Sequence, residues 1–251
     1  MHTLQIFDRK FQIPGKWNEL SKSQLLKIAQ LFSKKLTKET FEVLLISYFT
    51  GIKPENMKII SSSLSEIAAL FNFIHNKITL TKNFLPELTV KKKILYGPED
   101  GLLNLTFEQF IIYSENAYRE YSKNQSPEIL DYFISTLYTF KQSEFNEKHI
   151  SAIQKLITKI PSWEKTAIFL FYVGSRNYLV DKYKELFSNT SQTSDKNTDP
   201  LAFLKLIDQL NNEDVTKNEM VKTSKIYEVF FRLNEMVKKS DKLRSKLKSN
   251  V

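Results

Sequence analysis

Hydrophobic positions along the chain recur mostly at intervals of three and four. In SKSQLLKIAQLFSKK, Leu25, Ile28, Ala29 and Phe32 share one helical face, which predicts an amphipathic helix over 22–35. A second helix is predicted over 38–50, opened by Thr37 and stopped by Gly51, with Pro54 behind it. LSEIAALFNFIHNK predicts a third over 63–75, and two more follow over 147–160 and 163–187, separated by Pro161-Ser162. The period changes to two in only two places. Leu4, Ile6, Phe11 and Ile13, arranged around Asp8-Arg9-Lys10, predict a small hairpin within 3–13. Ile78, Leu80 and the LTV run predict a short strand pair or an irregular arm over 77–95, where Pro86 rules out one continuous central strand.

Punctuation between these runs sets the organisation. Ser21 with Gln24, and Thr106 with Gln109, have the spacing of a capping box, in which each residue satisfies the other's backbone donor. Ser126-Pro127 supplies a cap and a first-turn proline for EILDYFISTLYTF. The stretch 188–198 (SNTSQTSDKNT) has no apolar anchor and reads as a linker. The chain therefore divides into a helical body with an N-terminal hairpin (1–187), the linker, a C-terminal helical segment packing on the body (199–237) and a basic tail (238–251). Within 199–237, Asp199-Pro200 opens LAFLKLIDQL, and Thr216 with Glu219 opens the last amphipathic run. The fold class is mainly α, a multi-helix bundle-like body with minor β.

Composition narrows the chemistry. The 251 residues contain no cysteine, which excludes disulfides, thiolate metal sites and a cysteine nucleophile. MHTLQIFDRKFQIPGKW lacks the apolar core of a signal peptide, and AIFLFYVG (167–174) is far shorter than the ~20 residues that span a bilayer. A soluble protein without a membrane association is expected. The net charge of +9 invites a nucleic-acid reading. However, Lys238, Lys239, Lys242, Arg244, Lys246 and Lys248 against Asp241 place +5 of it in the tail. A solvated basic tail accounts for most of the excess.

No catalytic constellation emerges. His2, His75 and His149 stand in no HxxxH or HExxH pattern, so no metal site is expected. There is no GxSxG, Walker loop or dinucleotide fingerprint, and five glycines leave little for a phosphate cradle. Gly174 in VGSRNY reads as a position of close packing, and Arg176 as half of a salt bridge facing a partner. Asp131, inside the apolar LDYFISTLY, reads as a buried cap or ion pair. In YGPEDGLLNLTFEQF (96–110), Pro98 suits the second position of a turn and Gly101 a left-handed residue. Adjacent Glu99 and Asp100 would repel a phosphate, so this stretch reads as a structural corner. The expectation is a protein without catalytic residues or cofactor.

Aromatic residues are the stronger signal, at 13% of the chain. They recur around the helices rather than along one stripe, in sets that include Tyr113, Tyr118 and Tyr121, then Tyr172, Tyr178 and Tyr183, then Tyr227, Phe230 and Phe231. Three uses remain open: a bulky core, a protein interface, or base stacking beside lysines. The candidate partner-binding residues are Tyr113, Tyr118, Tyr121, Arg176, Tyr178, Tyr227 and Phe231. Under a nucleic-acid reading, the candidate contacts are Lys91, Lys92, Lys93, Lys242, Arg244, Lys246 and Lys248.

WNELSKSQLLKIAQ (17–30), YGPEDGLLNLTFEQFIIYSENAYREY (96–121) with LDYFISTLY (130–138), WEKTAIFLFYVGSRNYL (163–179) and DVTKNEMVKTSKIYEVFFRLNEM (214–236) together resemble a family of helical proteins. That family is encoded in the tail-morphogenesis region of bacteriophages and prophages. The resemblance implies a non-enzymatic protein of tail assembly, acting in the host cytoplasm as a chaperone for tape-measure or tail-tube proteins, or carried as a minor virion component. It transfers no catalytic residue. Two other classes stay open: a basic DNA-associated accessory protein of packaging or replication, and a factor that binds a host protein.

Overall fold

A computed structural model of the chain describes residues 1–6, 8–34, 36–56, 64–142, 144–188 and 217–249. Its architecture is mainly α, with a small N-terminal β-hairpin and one further two-stranded pair. Strands β1 (His2–Ile6) and β2 (Arg9–Ile13) pair antiparallel, with His2 opposite Ile13. Two strands alone are marginal. This pair is anchored by Ile13 and Trp17, both buried, and by the Met1 ammonium on the Glu19 carboxylate at 2.7 Å.

Helix α1 (Lys22–Phe32) begins with the reciprocal Ser21–Gln24 capping box. Helix α2 (Lys38–Thr50) begins at Thr37, whose hydroxyl accepts from the Thr40 N–H, and ends at a left-handed Gly51. The run expected as one helix over 63–75 is divided into α3 (Leu64–Ala69) and α4 (Asn72–His75). The break buries Phe71, and the N–H groups of Leu70 and Phe71 bond three residues back, tightening the turn.

The 77–95 region, expected as a short strand pair or an irregular arm, combines the two. Residues 77–86 form an irregular arm laid along α8 (Ser162–Lys182), and β3 (Glu87–Val90) pairs with β4 (Lys93–Tyr96). Three α8 positions hold the arm. The Lys77 ammonium meets Asp181 at 2.6 Å, and the Asn177 amide donates to Ile78 O at 3.0 Å. A Cβ at Gly174 would collide with the Leu80 backbone, so only glycine admits the arm there. The close packing expected of Gly174 is therefore between a helix and an extended segment.

YGPEDGLLNLTFEQF is a corner of the fold. The Gly101 N–H donates to Thr81 O at 2.7 Å, and Asp100 Oδ1 accepts from the Asn83 N–H at 2.7 Å. Gly101 (φ 63°) and Leu102 (φ 66°) are both left-handed. Thr106 caps as expected, accepting from the Gln109 N–H at 3.2 Å. The Gln109 side chain does not return to close the box; its amide donates to Thr136 O at 2.9 Å. The chain then forms a π-helix over Gln109–Glu115, which runs into α5 (Asn116–Lys123). Its i→i+5 spacing sets Glu115 beneath Phe110 on the buried face.

Helix α6 (Pro127–Leu137) packs against the π-helix, α5, α8 and α7 (Ile150–Ile157). The 163–187 run stops at Lys182, because Tyr183 leaves helical geometry (φ −116°, ψ 49°) to enter the core, and α9 (Lys184–Ser188) resumes after it. The linker beyond Ser188 and the predicted helix at Asp199-Pro200 lie outside the described residues, as does Thr216. The final amphipathic run is two helices, α10 (Asn218–Thr223) and α11 (Ile226–Ser249). Between them, Ser224 O accepts from the Phe107 N–H at 2.8 Å, and the Ile226 N–H donates to Leu105 O at 3.1 Å. These bonds tie the C-terminal segment to the corner. The tail expected to be a separate solvated segment from 238 continues α11 through Ser249. Lysine and arginine are good helix formers, and cations suit a helix C-terminus.

Candidate partner-binding surface

Helix α8 carries aromatics on two sides, and the two sides have different surroundings. Facing inward, Tyr172 and Phe169 join Phe133 of α6 and Tyr118 of α5. Tyr172 lies edge-on to Phe133 at 4.8 Å, and Tyr118 stacks on Phe169 at 5.9 Å. Tyr121 meets the edge of Phe169 at 5.1 Å. Beside this stack sits the carboxylate of Glu115, buried by the π-helix. Glu115 Oε1 accepts from the Tyr172 hydroxyl and from Arg176 Nε, both at 2.7 Å, and Arg119 Nε stands 4.0 Å from Oε2. The Arg176 guanidinium also covers the Tyr118 ring at 5.1 Å.

The electrostatics follow from burial. Removal from water holds the Tyr172 hydroxyl well above its ordinary range, and the Glu115 carboxylate reinforces this. Burial works against the Arg176 charge, but the attraction and hydrogen bond of Glu115 outweigh it, so the guanidinium is held charged. Arg176 was expected to face a partner. Instead its charge is turned inward, where it supplies the short, hydrogen-bonded contact that the buried Glu115 carboxylate needs, Arg119 standing further off at 4.0 Å. The ion pair expected of Asp131 is with Lys165, whose Nζ stands 2.5 Å from Oδ1, both side chains nearly buried. The contact is Coulombic, since Oδ1 makes no directed hydrogen bond.

On its outer side, α8 presents Tyr178 and, one turn later, Lys182. Tyr227 of α11 comes up beside them, with Phe231 one turn further along α11. The Lys182 ammonium lies over three rings: 4.9 Å from the centroid of Tyr227 and 5.7 Å from those of Tyr178 and Tyr183. Tyr227 donates its hydroxyl to Gly101 O at 2.7 Å, and Tyr183 donates to Tyr227 O at 3.3 Å. Two of the three rings are therefore pinned to the backbone. Burial, with Tyr178 and Tyr183 adjacent, pushes the Tyr227 hydroxyl up to about 12. Tyr178 and Phe231 remain 46% and 60% exposed. Behind the ridge, Tyr183 and Phe230 are buried, with their rings edge-to-face at 5.8 Å.

Of the seven candidate partner-binding residues, the fold brings together Tyr178, Tyr227 and Phe231. Tyr118, Tyr121 and Arg176 belong to the inward stack. Tyr113 lies elsewhere: it donates to the Glu147 carboxylate and tilts against Phe145 at 5.2 Å, and burial raises its hydroxyl above the ordinary range. Sequence reasoning missed Lys182 as a member of the ridge. Its signal was the i, i+4 spacing from Tyr178 on one helix. It also had no means of pairing Glu115 with Arg176, which are sixty-one positions apart.

The basic candidates lie on other elements. Lys91 (φ 49°) and Lys92 (φ 65°) form the two-residue tip of the β3–β4 hairpin, between the paired Val90 and Lys93. Two left-handed central residues make this a type I′ turn, a position usually taken by Asn-Gly. Lys93 Nζ lies 5.6 Å over the Phe140 ring. Lys242, Arg244, Lys246 and Lys248 stand on the last turns of α11.

A shallow depression of about 230 Å³, part of it open to solvent, lies between Tyr96, Asn104, Gln109 and Phe145. It is smaller than the ~300 Å³ at which ligand pockets begin. Among the described residues no three His, Asp or Glu side chains gather as possible metal ligands. No described helix is long and apolar enough to cross a membrane. No family model matches the chain, and comparisons with curated proteins and with solved structures return no match.

Proposed function

We propose that the protein is a non-enzymatic binding protein of phage tail assembly, which holds another tail protein against the Tyr178–Tyr227–Phe231 ridge. The observation that supports binding is the ridge itself. Large aromatics stand exposed on a surface whose backing is a packed core, and tyrosine and phenylalanine are enriched where partners dock. The tail-assembly setting is supported by the family resemblance of 17–30, 96–121, 130–138, 163–179 and 214–236. In this reading the protein works in the host cytoplasm as a chaperone of a tape-measure or tail-tube protein, or enters the particle as a minor component. Co-expression with phage tape-measure and tail-tube proteins should yield a complex that survives gel filtration and dissociates with Phe231→Asp. Failure to co-purify with either, together with absence from purified particles, counts against the proposal.

A second reading has its own support in the Lys91-Lys92 hairpin tip. A left-handed conformation costs a non-glycine residue roughly 1–2 kcal/mol, and here it is adopted by two lysines. Exposed lysines at a hairpin tip suit a DNA backbone. Duplex binding through about six phosphates would give a log–log salt slope of about −5. A flat salt response excludes it.

A further inference from the structure

We infer that Lys182 is the docking point for a partner carboxylate, supplied by an acidic segment whose neighbouring apolar side chains rest on Tyr178 and Phe231. This rests on the ridge being a binding surface and adds the chemistry of what binds there. A lysine ordinarily loses rotameric freedom when it forms an ion pair, and that loss weakens surface pairs. The Lys182 ammonium is already positioned by three ring faces at 4.9–5.7 Å. Two of those rings are in turn fixed by the hydroxyl bonds of Tyr227 to Gly101 O and of Tyr183 to Tyr227 O. Much of the ordering has therefore taken place before a partner arrives.

Among the described residues the ammonium also has no internal counter-ion. The adjacent carboxylate, Asp181, is held by Lys77, with both oxygens within 2.7 Å of Nζ. Among the described residues Lys182 has ring faces but no carboxylate or carbonyl within hydrogen-bond distance. A carboxylate approaching it would meet a cation set in apolar surroundings, where charge attraction is stronger than in open water.

The surroundings select the same kind of partner. Beyond Phe231, Lys238 of α11 is paired with Glu235 at 3.1 Å, so the cation offered at the ridge is Lys182 itself, in a chain that carries +9 as a whole. Tyr178, one turn before Lys182 on α8, and Phe231, one turn beyond Tyr227 on α11, offer exposed apolar contact. An acidic, amphipathic segment complements both features, whereas a basic segment would be repelled by Lys182 at the centre.

The test uses the full chain as bait for a displayed library of random twelve-residue peptides, with Lys182→Glu as a parallel bait. Both baits are first checked for unchanged helicity and melting. Wild type should enrich peptides with Asp or Glu beside an aromatic or aliphatic residue, and Lys182→Glu should enrich Lys or Arg at the same place. A resynthesised wild-type peptide should bind Lys182→Glu at least tenfold more weakly. Equal binding to both baits, combined with loss on Phe231→Asp, overturns the anchor while leaving the ridge as a binding surface. Peptides indifferent to Phe231→Asp and Tyr178→Asp, or no enrichment on any bait, overturn both. Concentration-dependent dimerisation abolished by Phe231→Asp would show that a second copy covers the ridge, and would overturn the acidic partner.

Discussion

The two sides of α8 use the same residue types to opposite ends. Inward, Tyr172 and Arg176 are fully committed. The Tyr172 hydroxyl is bonded to Glu115, its ring lies against Phe133, and the Arg176 charge is spent on the same carboxylate. Outward, Tyr178 and Lys182 stand only two turns further on, yet they are satisfied by one another and by Tyr227, with surface left over. An aromatic with a cation beside it is thus not a single signal. Where the cation has a buried carboxylate, the pair is part of the fold's architecture. Where it has only ring faces, the pair is available to a partner.

Substitutions can test this contrast. The largest effect is expected in the inward stack. Phe133→Ala removes a fully buried ring and should cost about 3–5 kcal/mol. That corresponds to a melting temperature lowered by roughly 10 °C for a chain of this size, read by calorimetry or by helical circular dichroism. A loss under ~1 kcal/mol would mean the stack is not the centre of the core.

Gly174→Ala should come next. The new methyl meets the Leu80 backbone, which cannot rotate aside, and overpacking of this kind costs about 1–3 kcal/mol. Urea unfolding would report it. Unchanged stability would show that the 77–86 arm moves off α8 without consequence.

Buried tyrosines also make the stability depend on pH. Burial raises the hydroxyl pKa of both Tyr172 and Tyr138 in the folded protein. Above about pH 10 the unfolded chain ionises these tyrosines while the folded chain keeps them protonated, so the unfolded state binds fewer protons. Their contribution is complete below about pH 10 and is lost as pH rises further, by about 1.4 kcal/mol per pH unit for each tyrosine. Tyr172→Phe or Tyr138→Phe should flatten the alkaline slope in urea unfolding between about pH 9 and 11.5, approaching that amount above about pH 11. An unaltered slope would show that these hydroxyls reach water.

The smallest effect on stability belongs to the ridge. Tyr178→Ser and Phe231→Ser should shift unfolding by less than ~0.5 kcal/mol, since exposed positions seldom do more. Both should nevertheless weaken a bound tail protein at least tenfold in calorimetric titration. A large loss of stability with unchanged binding would move the ridge into the category of the inward stack.

Local signals in the sequence were sufficient for much of the framework. The Ser21–Gln24 box, the Thr37 start and Gly51 stop of α2, and the Ser126-Pro127 opening of α6 each depend on residues within four positions of one another. Their chemistry acts at that range, so spacing alone reveals it. Breaks were harder to place. Phe71, Tyr183 and Ser224-Lys225 lie within runs of good helical periodicity, and each departs from the helix for a distant reason. Phe71 and Tyr183 enter the core, and Ser224 meets Phe107. The site divides along the same line. Tyr178, Tyr227 and Phe231 were visible as aromatics, but nothing local distinguished them from Tyr118 or Tyr121.

By itself, then, the sequence determined the helical class, the hairpin, the caps of α1, α2 and α6 and the role of 96–110 as a corner, because hydrophobic period, turn dihedrals and capping are short-range properties. Only the tertiary structure decided which charges were spent and which were left over. Glu115 claims Arg176 across sixty-one positions, and Lys77 claims Asp181 across one hundred and four. The remainder, Lys182 among three tyrosines, is defined by those long-range pairings. Coulomb attraction and burial act through space, and the order of residues along the chain does not record which of them will meet.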